Sequence, residues 1–118
     1  MSNETINPPG GNRNRKRDSI LATVELLKKE SVLLKGFPKG LLTPSERAAF
    51  ILAVEHGHEL LYVLQIMNRV GLAIPEGTNT QTRIRILIVS AAKKILPKLA
   101  QPERENLIRK IRETLGQR

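Results

Sequence analysis

Apolar residues recur at spacings of three and four along most of this chain, in stretches separated by short runs rich in glycine and proline. That punctuation constrains the fold more than any other feature, because a stripe of helical period is buried by packing on another helix. From Asp18 or Ser19, either of which can cap a helix, Ile20, Val24, Leu27, Ser31 and Leu34 mark a first amphipathic helix. It is expected to stop at Gly36, where Gly36-Phe37-Pro38-Lys39-Gly40 concentrates residues that break helices.

Thr43-Pro44-Ser45-Glu46 is the strongest local signal. Thr43 can cap, Pro44 is preorganised for the first helical position, and Glu46 stands where a capping box needs a carboxylate. A long second helix is predicted from Pro44 to about Val70. One stripe on it holds Ala53, His56, Leu60, Val63, Met67 and Val70, and a second holds Phe50, Val54, Gly57, Leu61 and Leu64. Two adjacent stripes imply burial around much of the circumference, which places this helix at the centre. Its apolar surface is generous for three short partners, and a homo-oligomer follows as an expectation.

Gly71 and the turn Ile74-Pro75-Glu76-Gly77 end that segment, and Thr78 with Gln81 offers another capping-box pattern. A third segment over about 79–96 sets Ile84, Ile88, Ala91, Ile95 and Leu99 on one helical face. Thr82 to Val89 also alternates in part and is rich in β-branched residues, which fits a short strand. The helix is preferred because no partner strand is evident and Ala91-Ala92-Lys93-Lys94 continues helically. Pro97 is expected to kink or end it. Pro102 opens a fourth helix with Glu103 and Glu105 in its first turn, a stripe of Leu107, Ile108, Ile111 and Leu115, and an i,i+4 pairing of Glu105 with Arg109.

The reading is all-α: a compact four-helix bundle-like domain over residues 18–118, with a disordered basic arm over residues 1–17 rich in Asn, Pro, Gly and Arg. The 118 residues suit one domain. Its core must be aliphatic, since Phe37, Phe50 and Tyr62 are the only aromatic residues. The chain has no cysteine for a disulfide framework or a thiolate site, no apolar run of the roughly 20 residues that span a bilayer, and no secretory leader pattern at its start. An intracellular protein without stable membrane insertion is expected, in the cytoplasm or, in a eukaryotic host, the nucleus.

Charge supplies the functional direction. The net charge is +9, and the excess sits at the two ends. Residues 1–17 carry four bases against one acid, residues 83–118 ten against three, and residues 18–82 six against seven. Arg13, Arg15, Lys16 and Arg17 can neutralise phosphates from a flexible arm, although the same run also suits a nuclear address or a solubilising tail. Lys93, Lys94 and Lys98 close the third segment, and Arg104, Arg109, Lys110 and Arg112 occupy the fourth. Arginine and lysine in such clusters suit phosphate contact, against the plainer alternative of a solvated helix face.

The basic segments contain no aromatic residue, so base stacking is not expected and contact should run mainly to the phosphate backbone with weak sequence selectivity. The expected function is therefore non-enzymatic binding of RNA or DNA, in packaging, coating or a small subunit of a nucleoprotein complex. The competing expectation is a helical adaptor or accessory factor for an acidic protein partner, with an anionic membrane surface behind it.

Only Glu55-His56-Gly57-His58-Glu59 resembles a catalytic or metal-binding constellation. On a continuous helix His56 and His58 stand about 200° apart and cannot share a metal from one face. Placement of His56 in an apolar stripe and solvation of both glutamates is the expected outcome. The chain carries no Gly-rich phosphate loop and no serine nucleophile motif, so neither an enzyme nor a cofactor is expected.

Overall fold

The computed structural model describes residues 20–116, and these are helical, with no strand among them. In chain order the elements are α1 (residues 20–26), α2 (Pro44–Ala49) running directly into a π-helical stretch (Phe50–Glu55), α3 (Leu60–Arg69), α4 (Thr80–Ile95) with a 3-10 turn (Leu96–Lys98), and α5 (Gln101–Leu115). The all-α class holds. Five α-helical segments occur among the described residues where four were expected, because the expected Pro44–Val70 helix is divided in two.

The first helix ends at residue 26, well before Gly36 where its apolar spacing would let it stop. Its backbone leaves the helix after residue 26, since side chains from elsewhere take the groups a helix would pair internally. Arg47 donates from Nη1 to the Leu27 carbonyl at 2.8 Å and from Nη2 to the Lys29 carbonyl at 3.3 Å. Glu55 accepts from the N–H groups of Leu33 at 3.1 Å and Val32 at 3.4 Å and from the Ser31 hydroxyl. Ser31 in turn accepts from the Leu34 N–H at 3.1 Å. Ser31 is buried, but as a turn residue holding this connection and not as part of a helical stripe.

The expected Pro44–Val70 helix is two helices. Its start forms as read: Thr43 accepts from the Glu46 N–H at 3.1 Å, and Glu46 accepts from the Thr43 N–H at 2.9 Å. After Ala49 the turns widen, with the His56 N–H reaching back to Ile51 at 3.1 Å and the His58 N–H to Leu52 at 2.9 Å. Gly57 then takes φ +72, a left-handed conformation that costs a residue with a Cβ about 1–2 kcal/mol. The helix restarts at Leu60.

Ala48 through Val54 are all buried, seven consecutive residues covering every side of the segment. This stretch is the centre of the core, as its apolar density suggests, but a single chain covers it completely. Of the apolar surface from which self-association was expected, residues 48–54 are covered within the chain, whereas Leu61 and Val70 are exposed.

Helix α4 packs on α2 and α3, and α5 closes over the π-helical stretch and the end of α4. Ile84, Ile88, Ala91 and Ile95 lie fully buried on the face expected of them, so residues 82–89 are helix. The cap of α4 is Asn79, which accepts from the Thr82 N–H at 2.8 Å, in place of the Thr78/Gln81 box. On α5, Leu107 and Ile111 are buried and Thr114 joins them, its hydroxyl 2.9 Å from the Lys110 carbonyl and 3.4 Å from that of Ala53. Each large aliphatic side chain buried in this way contributes about 1.5–3 kcal/mol.

Candidate functional site

The connection between α1 and α2 carries Lys28, Lys29, Lys35 and Lys39 with Glu30 as the only acid among residues 28–39. Clamped by Arg47 and Glu55, it presents these lysines around a depression of about 470 Å³, which Arg47 also lines with Ser31, Leu34 and Phe37. Five of the six bases of residues 18–82 thus gather in one place. Summed over the whole central block, their charge is cancelled by acids; in space Glu30 is the one acid that shares the depression with them, and Glu25 pairs with Lys28 at 3.3 Å.

Two of those acids are turned inward. The Glu46 side chain is only 7% exposed and accepts from Lys94 at 2.7 Å, from Ser90 and from the Thr43 N–H. Burial would push its carboxyl up, but the hydrogen bonds from Lys94, Ser90 and Thr43 and the Lys94 charge outweigh it and bring it down from 4.5 to about 2. Glu55 follows the same logic. Burial opposes its charge, yet the donors on Ser31, Leu33 and Val32 and the neighbouring His56 hold its carboxyl below the usual range.

The turn Lys35-Gly36-Phe37 is shared with a second depression of about 750 Å³ between this connection and α5. Gly36 adopts φ +91, and the Phe37 N–H donates to the Leu34 carbonyl at 3.1 Å. Leu33, Phe37, Leu99 and Leu107 form the apolar lining of this groove, Lys35, Lys98, Arg109 and Lys110 its cationic rim, and Glu103 and Glu113 line it too, before and after Arg109 and Lys110 on α5. A third depression of about 690 Å³ shares Lys28, Lys39 and Arg47 with the first and adds Lys94.

Of the basic residues singled out in the sequence, Lys98, Arg109 and Lys110 are brought together at the groove. Lys93 and Arg112 are exposed outside it. Lys94 is bound to Glu46, and Arg104 is half-buried, donating from Nη2 to the Leu99 carbonyl at 2.9 Å. Both are held by the fold. Arg13, Arg15, Lys16 and Arg17 lie outside the described residues. The Glu105–Arg109 pairing is not among the ion pairs of the described residues; Arg109 borders the groove instead, and an exposed pair of this kind is worth little.

Sequence reasoning missed Lys28, Lys29, Lys35, Lys39 and Arg47. Four lysines within 12 residues was the available signal, hidden by counting charge over the longer block.

The Glu55–Glu59 region departs from expectation as well. His56 is exposed, its Nε2 3.3 Å from Glu55, because the widened turns carry it off the apolar stripe. Glu55 is engaged with the 31–33 backbone, while Glu59 is exposed. His58 packs on Tyr62 with ring centroids 5.0 Å apart; burial and then the charge of His56 push its pKa down. No helix among the described residues is long and apolar enough to cross a membrane.

Comparison of the chain with protein families, curated proteins and solved structures finds no match to any of them.

Proposed function

We propose that this chain is a non-enzymatic nucleic-acid-binding protein that holds RNA or DNA mainly through the phosphate backbone. The observation that carries the reading is the Lys35-Gly36-Phe37 turn joining two cation-lined depressions, while Glu46 and Glu55, which would offset that charge, face inward. Lys29, Lys35 and Lys39 have no ion-pair partner among the described residues. Such a cluster of like charges raises the energy of the folded chain and favours a polyanionic ligand that neutralises it. The contact set is Lys28, Lys29, Lys35 and Lys39 together with Lys98, Arg109 and Lys110, extended by Lys93, Arg112 and the arginines and lysine of residues 13–17. Lysine dominates the connection, and a point charge on a flexible stem contacts phosphate without reading sequence.

Fluorescence anisotropy with labelled oligonucleotides over a series of salt concentrations tests this. Affinity should fall linearly on a log–log plot, with a slope near −0.7 for each phosphate contact on a single strand. The double variant Lys35→Gln/Lys98→Gln should flatten the slope by about 1.4. Absence of binding at low salt, or a slope unchanged in the variant, would defeat the proposal.

A further inference from the structure

We infer that the groove between residues 32–37 and α5 receives unpaired bases, so that the chain prefers single-stranded nucleic acid to duplex. The inference rests on the nucleic-acid reading and names the substrate class for that same surface.

A surface that contacts only phosphate needs cations and no apolar floor. This groove has both: Leu33, Phe37, Leu99 and Leu107 lie beneath Lys35, Lys98, Arg109 and Lys110. Val32, at its mouth, is 78% exposed. Its volume of about 750 Å³ falls within the roughly 300–1,000 Å³ usual for pockets that enclose small organic groups.

A duplex keeps its bases stacked inside and presents a rigid row of phosphates, which can meet the rim but leaves the apolar floor uncovered. A single strand satisfies both, with phosphates at the lysines and arginine and base faces against Phe37 and its aliphatic neighbours. Phe37 stands outside the basic segments of the sequence, yet the turn at Gly36 sets it beside Lys35 and across from Arg109 and Lys110. Asn106, exposed on the groove-facing side of α5, adds an amide that can both donate to and accept from a base edge. Glu103 and Glu113, on either side of Arg109 and Lys110 along α5, disfavour phosphate directly beside them.

The test uses the full chain and four probes of equal length and label: a single strand without self-structure, its duplex, the same strand with its central bases removed, and an acidic amphipathic peptide. The intact strand should bind about tenfold more tightly than the duplex or the abasic strand at matched salt, the effect expected from seating one base on an aromatic surface. Phe37→Ala should erase that advantage and leave the salt slope unchanged.

Because Phe37 also touches the core, a second measurement is made on the unaltered protein. Photocrosslinking from thio-substituted bases should map to residues 32–37 and to α5. Equal affinity for intact, abasic and duplex probes would overturn the inference while leaving phosphate binding in place. Failure of every nucleic-acid probe would overturn both readings. Displacement of the strand by the acidic peptide, without any base dependence, would assign the groove to a protein partner and overturn the inference.

Discussion

Replacing Glu46 by Gln should cost the fold about 3 kcal/mol at neutral pH and almost nothing in strong acid. The carboxyl ionises at about 2 in the folded chain against 4.5 in the open one. A group shifted that far contributes on the order of 3 kcal/mol once fully ionised in both states. The sign follows from the direction of the shift. The folded value is depressed, so the stabilisation is present above the unfolded value and disappears as pH falls through the folded one, a window from roughly pH 5 down to pH 2.

Urea unfolding of both proteins across that window, with free energies extrapolated to water, measures the difference. The two curves should lie about 3 kcal/mol apart at neutral pH and converge below pH 2, where the native residue becomes neutral. Glu55 keeps the same hydrogen-bond partners in both proteins, so its contribution cancels from the comparison. A constant gap between the curves, or no gap, would show that the carboxylate linking Thr43, Ser90 and Lys94 is not held ionised by them.

Glu55→Ala should release the 31–34 backbone, speed hydrogen exchange at the Val32 and Leu33 amides and weaken oligonucleotide binding severalfold while α3 and α4 stay protected, because the lost hydrogen bonds serve only that connection. Gly57→Ala should lower stability by about 1–2 kcal/mol in urea unfolding through backbone strain alone, since a Cβ there meets nothing within 4 Å. Lys94→Met should destabilise the chain by leaving a buried carboxylate without its cation, yet change the salt slope of oligonucleotide binding far less than Lys35→Met does, as anisotropy on the folded variants will show. In the cycle Glu46→Gln/Lys94→Met, the combined loss should be smaller than the sum of the two single losses.

Helix periodicity was most legible where a segment had one partner face and intact backbone pairing. Ile84, Ile88, Ala91 and Ile95 needed nothing beyond spacing to be placed in the core, and Thr43-Pro44-Ser45-Glu46 announced its own cap. Spacing failed where distant side chains competed for the backbone. Nothing local to Ile20–Leu34 reveals that Arg47 and Glu55 will take the carbonyls and N–H groups of residues 27–33. The break at Gly57 had a local sign, a glycine amid His and Glu, but the long stripes on either side outweighed it. At the candidate interface, Lys98, Arg109 and Lys110 were visible as charge, whereas Phe37 and Lys35 reached them only through tertiary folding.

The loss of helix after residue 26 and the gain of a cationic site are one event. On a continued helix, Lys28, Lys29 and Lys35 would project from a straight rod whose apolar stripe faced the core, and Lys35 would have no turn to carry Phe37 beside it. Arg47 and Glu55 prevent that continuation by offering the backbone hydrogen-bond partners at least as good as its own, charge-assisted ones. Each does so while partly or largely withdrawn from solvent. The two clamps bear opposite charge, so together they add no net charge to the connection, whose lysines are offset only by Glu30 and by the Glu25–Lys28 pair at 3.3 Å, and the clamp at Glu55 spends on backbone N–H groups a carboxylate that would otherwise offset them further. A chain built only for stability would gain from one surface acid near Lys35 or Lys39. The 35–39 turn itself holds none, Glu30 being the one carboxylate that lines the first depression, and the cluster keeps an excess of positive charge.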